Sequence, residues 1–178
     1  MHLPAGSANV HGTALIVDGT GVLFSGPSGT GKTLLALALL HRAAAIEDLS
    51  LFDPEHLLTK ATDGSRAQSS NKDTSRNILV ADDRVVLKRQ GDTLLAAPPE
   101  ELKGLLEVRG IGIIEIAYTA STPIDVAVEL SPVREVERLP MKTGHEFLGI
   151  EVPFFQIPTG DLARQMLLID VVLKLIRG

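Results

Sequence analysis

The sequence predicts an α/β fold in which a mixed β-sheet, flanked by helices, carries a P-loop, a turn built to hold phosphate groups. Three observations predict it. Gly26-Pro27-Ser28-Gly29-Thr30-Gly31-Lys32-Thr33 satisfies G-x-x-x-x-G-K-[ST] at every constrained position. The apolar run Val22-Leu23-Phe24 enters this loop as a strand, and the run Leu34 to Leu40 leaves it as a helix. Beyond residue 77 the chain reads as short strands punctuated by turn residues, closed by one long helical stretch, Asp161 to Ile176.

The loop's residue types explain its chemistry. Its glycines permit a tight bend in which successive backbone N–H groups face one concavity, and the following helix start adds partial positive charge there. Lys32 is placed to reach β- and γ-phosphates as a point charge, and the Thr33 hydroxyl to join the shell of a bound Mg²⁺. The bland alternative, a Gly-rich turn that happens to end in Lys-Thr, leaves the flanking strand and helix unexplained.

Composition narrows the class. At 178 residues the chain predicts a single domain, 1–178, with a sizeable core, and its 44% apolar and 22% charged content is that of an ordinary globular chain. Aromatic content of 3% and a net charge of −5 argue against a nucleic-acid partner. The absence of cysteine excludes a disulfide framework and thiolate chemistry. No signal-like N-terminus and no apolar run near ~18 residues is present, so the expectation is a cytoplasmic protein without a membrane partner.

Taken in order, residues 1–10 carry no pattern and read as loose chain. Thr13 to Val17 reads as a strand, Asp18-Gly19 as a turn and Gly21 to Ser25 as a second strand, with His11 at the start of this hairpin. The helix from Leu34 is continuously apolar, which predicts burial against the sheet, and it is expected to end near Ala43 to Ala45. From about Glu47 to Asn77 the composition turns polar, and Thr62 to Ser75 has almost nothing to bury, so this stretch reads as a mobile insertion. A short helix capped by Asp53 with Pro54 at its first position precedes it.

Ile78-Leu79-Val80-Ala81-Asp82-Asp83 reads as a buried strand delivering two carboxylates to the ligand edge of the sheet, where one meets a metal or accepts a proton; an Asx-type turn is the plain alternative. Val85 to Lys88 and Thr93 to Ala96 form a hairpin about Gly91-Asp92. In Leu105 to Ile116, read as one extended segment, Glu107 and Arg109 stand two apart on one face, either as a surface ion pair or as a metal carboxylate beside a phosphate-binding Arg. Ile124 to Leu130 alternates as a half-exposed strand, and Arg134 to Arg138 is a charged connector. Gly149 to Ile157 reads as two short extended pieces split by Pro153. The closing helix has an apolar band, Leu162, Ile169, Val172, Leu173 and Ile176, broader than one sheet face needs, which hints at a subunit interface.

Together these pieces resemble the catalytic domain of HPr kinase/phosphorylase, the enzyme that phosphorylates and dephosphorylates a serine of the phosphocarrier HPr. The resemblance runs from about Val10 to Ile157. It rests on Val10-His11-Gly12, the phosphate loop, Leu79-Val80-Ala81-Asp82-Asp83 and Glu107-Val108-Arg109-Gly110-Ile111-Gly112-Ile113-Ile114, with His11 fifteen residues before Gly26. It implies an HPr kinase/PEP carboxykinase-like fold, ATP as phosphoryl donor, Mg²⁺, an HPr-like acceptor and a homohexamer. By the same resemblance Asp83 is the proton acceptor with Asp82 beside it, His11 and Lys32 are further active-site positions, Thr33 and Glu107 are Mg²⁺ ligands, and Arg138 is a mobile active-site arginine. It also implies a short form lacking the N-terminal domain. Gln156 to Asp161 stands where longer members carry a Pro-Gly-Arg-Asn-type segment linked to dephosphorylation, so the expected activity is mainly that of a kinase. The alternatives are an ATP-binding regulatory module that transfers nothing to a protein, motivated by the polar insertion, and a small-molecule kinase.

Overall fold

In the central strands neighbouring side chains point to opposite faces, and both faces are apolar, so the sheet they form must be covered on two sides. The computed structural model describes residues 6–44, 77–138 and 144–178 and shows both coverings. The predicted insertion at 47–77 and its short helix lie outside the described residues, apart from Asn77.

The described strands are β1 (Ser7–His11), β2 (Thr13–Val17), β3 (Thr20–Ser25), β4 (Ile78–Ala81), β5 (Arg84–Gln90), β6 (Thr93–Ala97), β7 (Leu105–Val108), β8 (Gly112–Glu115), β9 (Thr122–Pro123), β10 (Val126–Ser131), β11 (Gly144–Phe147) and β12 (Ile150–Pro158). The helices are α1 (Lys32–Ala44) and α2 (Leu162–Arg177). A six-stranded mixed sheet runs β11-β12-β10-β3-β2-β4, a four-stranded antiparallel sheet runs β1-β5-β6-β9, and β7-β8 is a separate hairpin. In the larger sheet β3 is parallel to β10, and β10 to β12.

Alternation assigns each side chain to a layer. Val22 and Phe24 of β3, Leu15 and Val17 of β2, and Val126, Val128 and Leu130 of β10 pack with Leu35 and Leu39 of α1 and Ile169, Val172 and Leu173 of α2. Their neighbours Leu23, Ala14 and Ala127 point the other way, into a second core with Val85 and Leu87 of β5, Leu94 and Ala96 of β6, and Ile124. That second interface mixes alanines with larger aliphatic side chains. At Gly21 a Cβ would lie 1.8 Å from the Pro123 carbonyl oxygen, so only glycine lets β3 approach the β9 segment.

Four readings of the sequence are corrected by the sheets. Residues 7–11 are not loose: β1 pairs with β5 along its whole length, and ladder hydrogen bonds rather than an apolar face hold it. β10 is not half-exposed, because sheet neighbours flank it and packed layers cover both faces, burying five of its six residues. Gly149 to Ile157 is not two pieces: β12 runs unbroken through Pro153, pairing with β11 from Ile150 to Pro153 and with β10 from Phe154 onward. The missing N–H of Pro153 thus falls where the strand changes partner. Finally, Leu105 to Ile116 is a hairpin whose turn begins at Arg109, with the Ile111 N–H donating to the Val108 carbonyl at 2.9 Å.

The helices are tied to the sheet at their ends. Asp161 caps α2 by accepting from the Arg164 N–H at 3.1 Å. At the other end the Arg177 guanidinium donates to Thr20 Oγ1 and to the Val17 and Asp18 carbonyls, clamping α2 onto the β2–β3 turn. Arg42 of α1 bridges Asp170 of α2 at 2.6 Å. Of the apolar band of α2, Ile169, Val172 and Leu173 are buried, and outside that band Leu167, Val171 and Leu175 form an exposed ridge. Gly21→Ala should lower unfolding free energy by about 3 kcal/mol or more through overpacking. Arg177→Ala, which loses partly solvated hydrogen bonds, should cost only about 1 kcal/mol. Denaturant midpoints at unchanged slope check both.

Candidate active site

The site forms where the chain passes twice, side by side, between the two sheets. Gly12 links β1 of the smaller sheet to β2 of the larger, and Asp82-Asp83 links β4 of the larger to β5 of the smaller. The crossings are neighbours because β1 pairs with β5, His11 opposite Arg84, while β2 pairs with β4, Ala14 opposite Ala81. Three consecutive residues of one crossing hold the other. His11 Nδ1 lies 2.9 Å from the Asp83 carbonyl and 3.2 Å from Asp83 Oδ1, the Gly12 N–H donates to the Asp83 carbonyl at 3.2 Å, and the Thr13 hydroxyl donates to Asp82 Oδ1 at 2.6 Å. Asp83 sits at φ +63°, a left-handed conformation that a non-glycine residue keeps only when its surroundings enforce it. The two carboxylates therefore differ: Asp82 is 4% exposed, while the Asp83 side chain is 60% exposed.

The second component follows β3. Gly26 has φ +122°, and a Cβ there would come within 2.4 Å of the Leu130 carbonyl oxygen, so the loop leaves the sheet against β10 only as glycine. Gly29 and Gly31 also take positive φ. Thr30 closes a turn onto the Pro27 carbonyl, and α1 begins as the Leu35 N–H reaches the Gly31 carbonyl at 2.9 Å. The first turn of α1 thus presents its N–H groups at the loop. Lys32 is 6% exposed, and its ammonium donates to the Gly26 and Pro27 carbonyls at 2.8 and 2.9 Å. Burial pushes its pKa below the ordinary lysine value, against the opposing pull of the Asp82 and Asp83 charges.

Loop and corner face one cavity of about 380 Å³. Ser28, Gly29, Gly31, Lys32 and Thr33 line it from the loop, His11, Thr13, Asp82 and Asp83 from the corner, and Glu107, Val108 and Arg109 from the β7–β8 hairpin. Thr33 Oγ1 lies 3.1 Å from both oxygens of Asp82, joining the two halves. Gly26, Pro27 and Thr30 support the loop without lining the cavity, and Arg138, exposed on the segment after β10, lies outside it. Leu34, which the helix pattern assigned to the core, is 55% exposed and forms part of the cavity wall with Leu37. Sequence reasoning passed over Thr13, because a β-branched residue opening a strand carries no signal of what its hydroxyl meets.

The model of the HPr Serine kinase C-terminal domain matches residues 74–177, more than half of the chain. The chain belongs to this family. Proteins named HPr kinase/phosphorylase resemble it over most of its length: that of Alkaliphilus metalliredigens is 28% identical over 96% of this chain and 48% of its own. The Caldicellulosiruptor bescii protein is 30% identical over 90% and 45%, and the Lactiplantibacillus plantarum protein 33% over 84% and 41%. The chain thus spans about half the length of the curated relatives it matches. The structure titled Hpr(Ser) kinase/phosphatase from Coxiella burnetii shares the fold, with a TM-score of 0.70 at 23% identity, covering 96% of this chain and 90% of that one.

In this member of the HPr serine kinase family the lowered pKa of Lys32 sets a pH dependence with a definite sign. Its folded pKa lies below the unfolded value of 10.5, so burying the charge costs stability at neutral pH. That cost is relieved as pH rises through the folded pKa toward 10.5, where the unfolded chain alone still holds the proton. Stability measured by denaturant across this alkaline range should therefore rise relative to a Lys32→Met variant. An unchanged difference between the two proteins would contradict the assignment.

Proposed function

We propose that this chain is an ATP-dependent protein-serine kinase whose acceptor is an HPr-like phosphocarrier. The observation that carries the reading is that one cavity joins a phosphate-type loop to a buried and an exposed carboxylate. The names of the relatives supply the acceptor class.

The residues divide the work by position. Loop N–H groups and Lys32 hold the polyphosphate, fixing the γ-phosphoryl group for in-line transfer. Among the described residues no three His, Cys, Asp or Glu side chains converge to hold a metal by themselves. What the cavity offers is hard oxygen donors, namely the hydroxyl of Thr33 and the carboxylates of Asp82, Asp83 and Glu107. That set fits Mg²⁺, which takes few protein ligands and completes its shell with water and substrate phosphates. Thr33 and Glu107 would hold it, and when bound it neutralises charge on the transferring group. Asp83, exposed at the mouth, accepts the proton of the acceptor serine as that oxygen bonds to phosphorus and ADP leaves. Asp82 is too deeply buried to meet a protein hydroxyl. His11 positions Asp83, and in the phosphorylase direction the same Asp83 returns the proton. The exposed Leu167, Val171 and Leu175 ridge supports a homo-oligomer.

The test is transfer of labelled γ-phosphate from ATP and Mg²⁺ to a purified HPr-family protein. Phosphoserine should form, vanish with Lys32→Ala, and fall by about 10²-fold or more with Asp83→Asn while nucleotide affinity stays within about threefold. ATP binding without any labelled acceptor would favour a nucleotide-binding regulatory module instead.

A further inference from the structure

The cavity's least accessible polar pair is Thr13 and Asp82. Thr13 opens β2, is fully buried, and is followed by buried Ala14 and Leu15. Valine has nearly the same shape and would pack there without a polar atom, so packing does not explain a hydroxyl that must be satisfied in the interior. That hydroxyl donates to Asp82 Oδ1 at 2.6 Å, across 69 residues of sequence. Asp82 is itself buried and makes no ion pair among the described residues. Its partners there are two hydroxyls, Thr13 on Oδ1 and Thr33, 3.1 Å from each oxygen.

Geometry gives these hydroxyls unequal parts. The single proton of Thr33 is shared between two acceptor oxygens, an arrangement that fixes neither. The short bond from Thr13, anchored in a central strand, sets the plane of the carboxylate. Because Asp82 accepts the Thr33 proton, the lone pairs of that hydroxyl oxygen are left free to meet a cation.

We propose that Thr13 is a positioning residue for the divalent cation that accompanies the nucleotide, acting through Asp82 on Thr33. This rests on the nucleotide-binding reading above and extends it to a fully buried residue whose hydroxyl is taken up by Asp82. Removing such an outer hydrogen bond commonly weakens metal binding or activity by about 10–100-fold.

The experiment is equilibrium binding of a fluorescent ATP analogue to the full chain, titrated with Mg²⁺ and repeated in EDTA, for wild type, Thr13→Val and Thr13→Ser. Thr13→Val should raise the half-saturating Mg²⁺ concentration about tenfold or more. Its affinity in EDTA should stay within about twofold of wild type, and Thr13→Ser, which keeps the hydroxyl, should recover most of the Mg²⁺ response. If Thr13→Val melts below the assay temperature, Thr13→Ser against Thr13→Ala, which differ by one oxygen, carries the same comparison. Wild-type Mg²⁺ dependence in the hydroxyl-free variant, or an equal loss in EDTA, overturns the inference alone. Absence of Mg²⁺-dependent binding by the unsubstituted chain overturns the nucleotide reading and this inference with it.

Discussion

The contact on which the site depends is the hydrogen bond from the Gly12 N–H to the Asp83 carbonyl, 3.2 Å long, where two strands pass together from one sheet to the other. Two paired strands leaving one sheet must keep their backbone groups satisfied through the bend, and here they satisfy each other. Gly12 permits this because a Cβ would lie 2.6 Å from the Phe24 carbonyl oxygen. Asp83 accepts a left-handed conformation to complete the turn. Carboxylates placed on such a corner are fixed by two sheets at once, which is more rigid than a free loop.

The glycine-rich loop after β3 uses the same larger sheet as its base. β3 lies between β2 and β10, so the loop that leaves it is bounded on one side by β2, beyond which lies β4 with Asp82 at its end, and on the other by the end of β10. α1 is held against the sheet by Leu35 and Leu39, and its first turn carries Lys32 and Thr33 to the corner. Burial of the lysine charge is unfavourable by itself; contacts to the loop carbonyls and proximity to Asp82 and Asp83 offset part of it. A stable core thus holds the loop, its lysine and the corner carboxylates at one cavity.

Much of this was legible. The loop motif, its strand and helix, the Ile78 to Ala81 strand and the closing helix are local patterns of spacing and turn chemistry, and each appears where the chain implied. Most of what was missed shares one cause. The pairing of β1, the two-sided burial of β10 and the continuous β12 depend on neighbours distant in sequence, whereas the hairpin within Leu105 to Ile116 is a local fold whose turn glycines, Gly110 and Gly112, take positive φ. β1 lacks the apolar alternation that marks a strand, and Asp125 just before β10 with Glu129 inside it mimic an exposed face.

By itself the sequence determined the glycine-rich loop after β3, since a run of glycines ending in Lys-Thr between strand and helix makes its own conformation and charge. It also determined that two adjacent carboxylates follow a buried strand. Only the tertiary structure decided which carboxylate is reachable. Asp82 and Asp83 are equivalent as letters, but the corner turns one toward Thr13 and Thr33 in the interior and the other toward His11 at the mouth. That difference arises from hydrogen bonds spanning 49 to 72 residues, which no local pattern encodes.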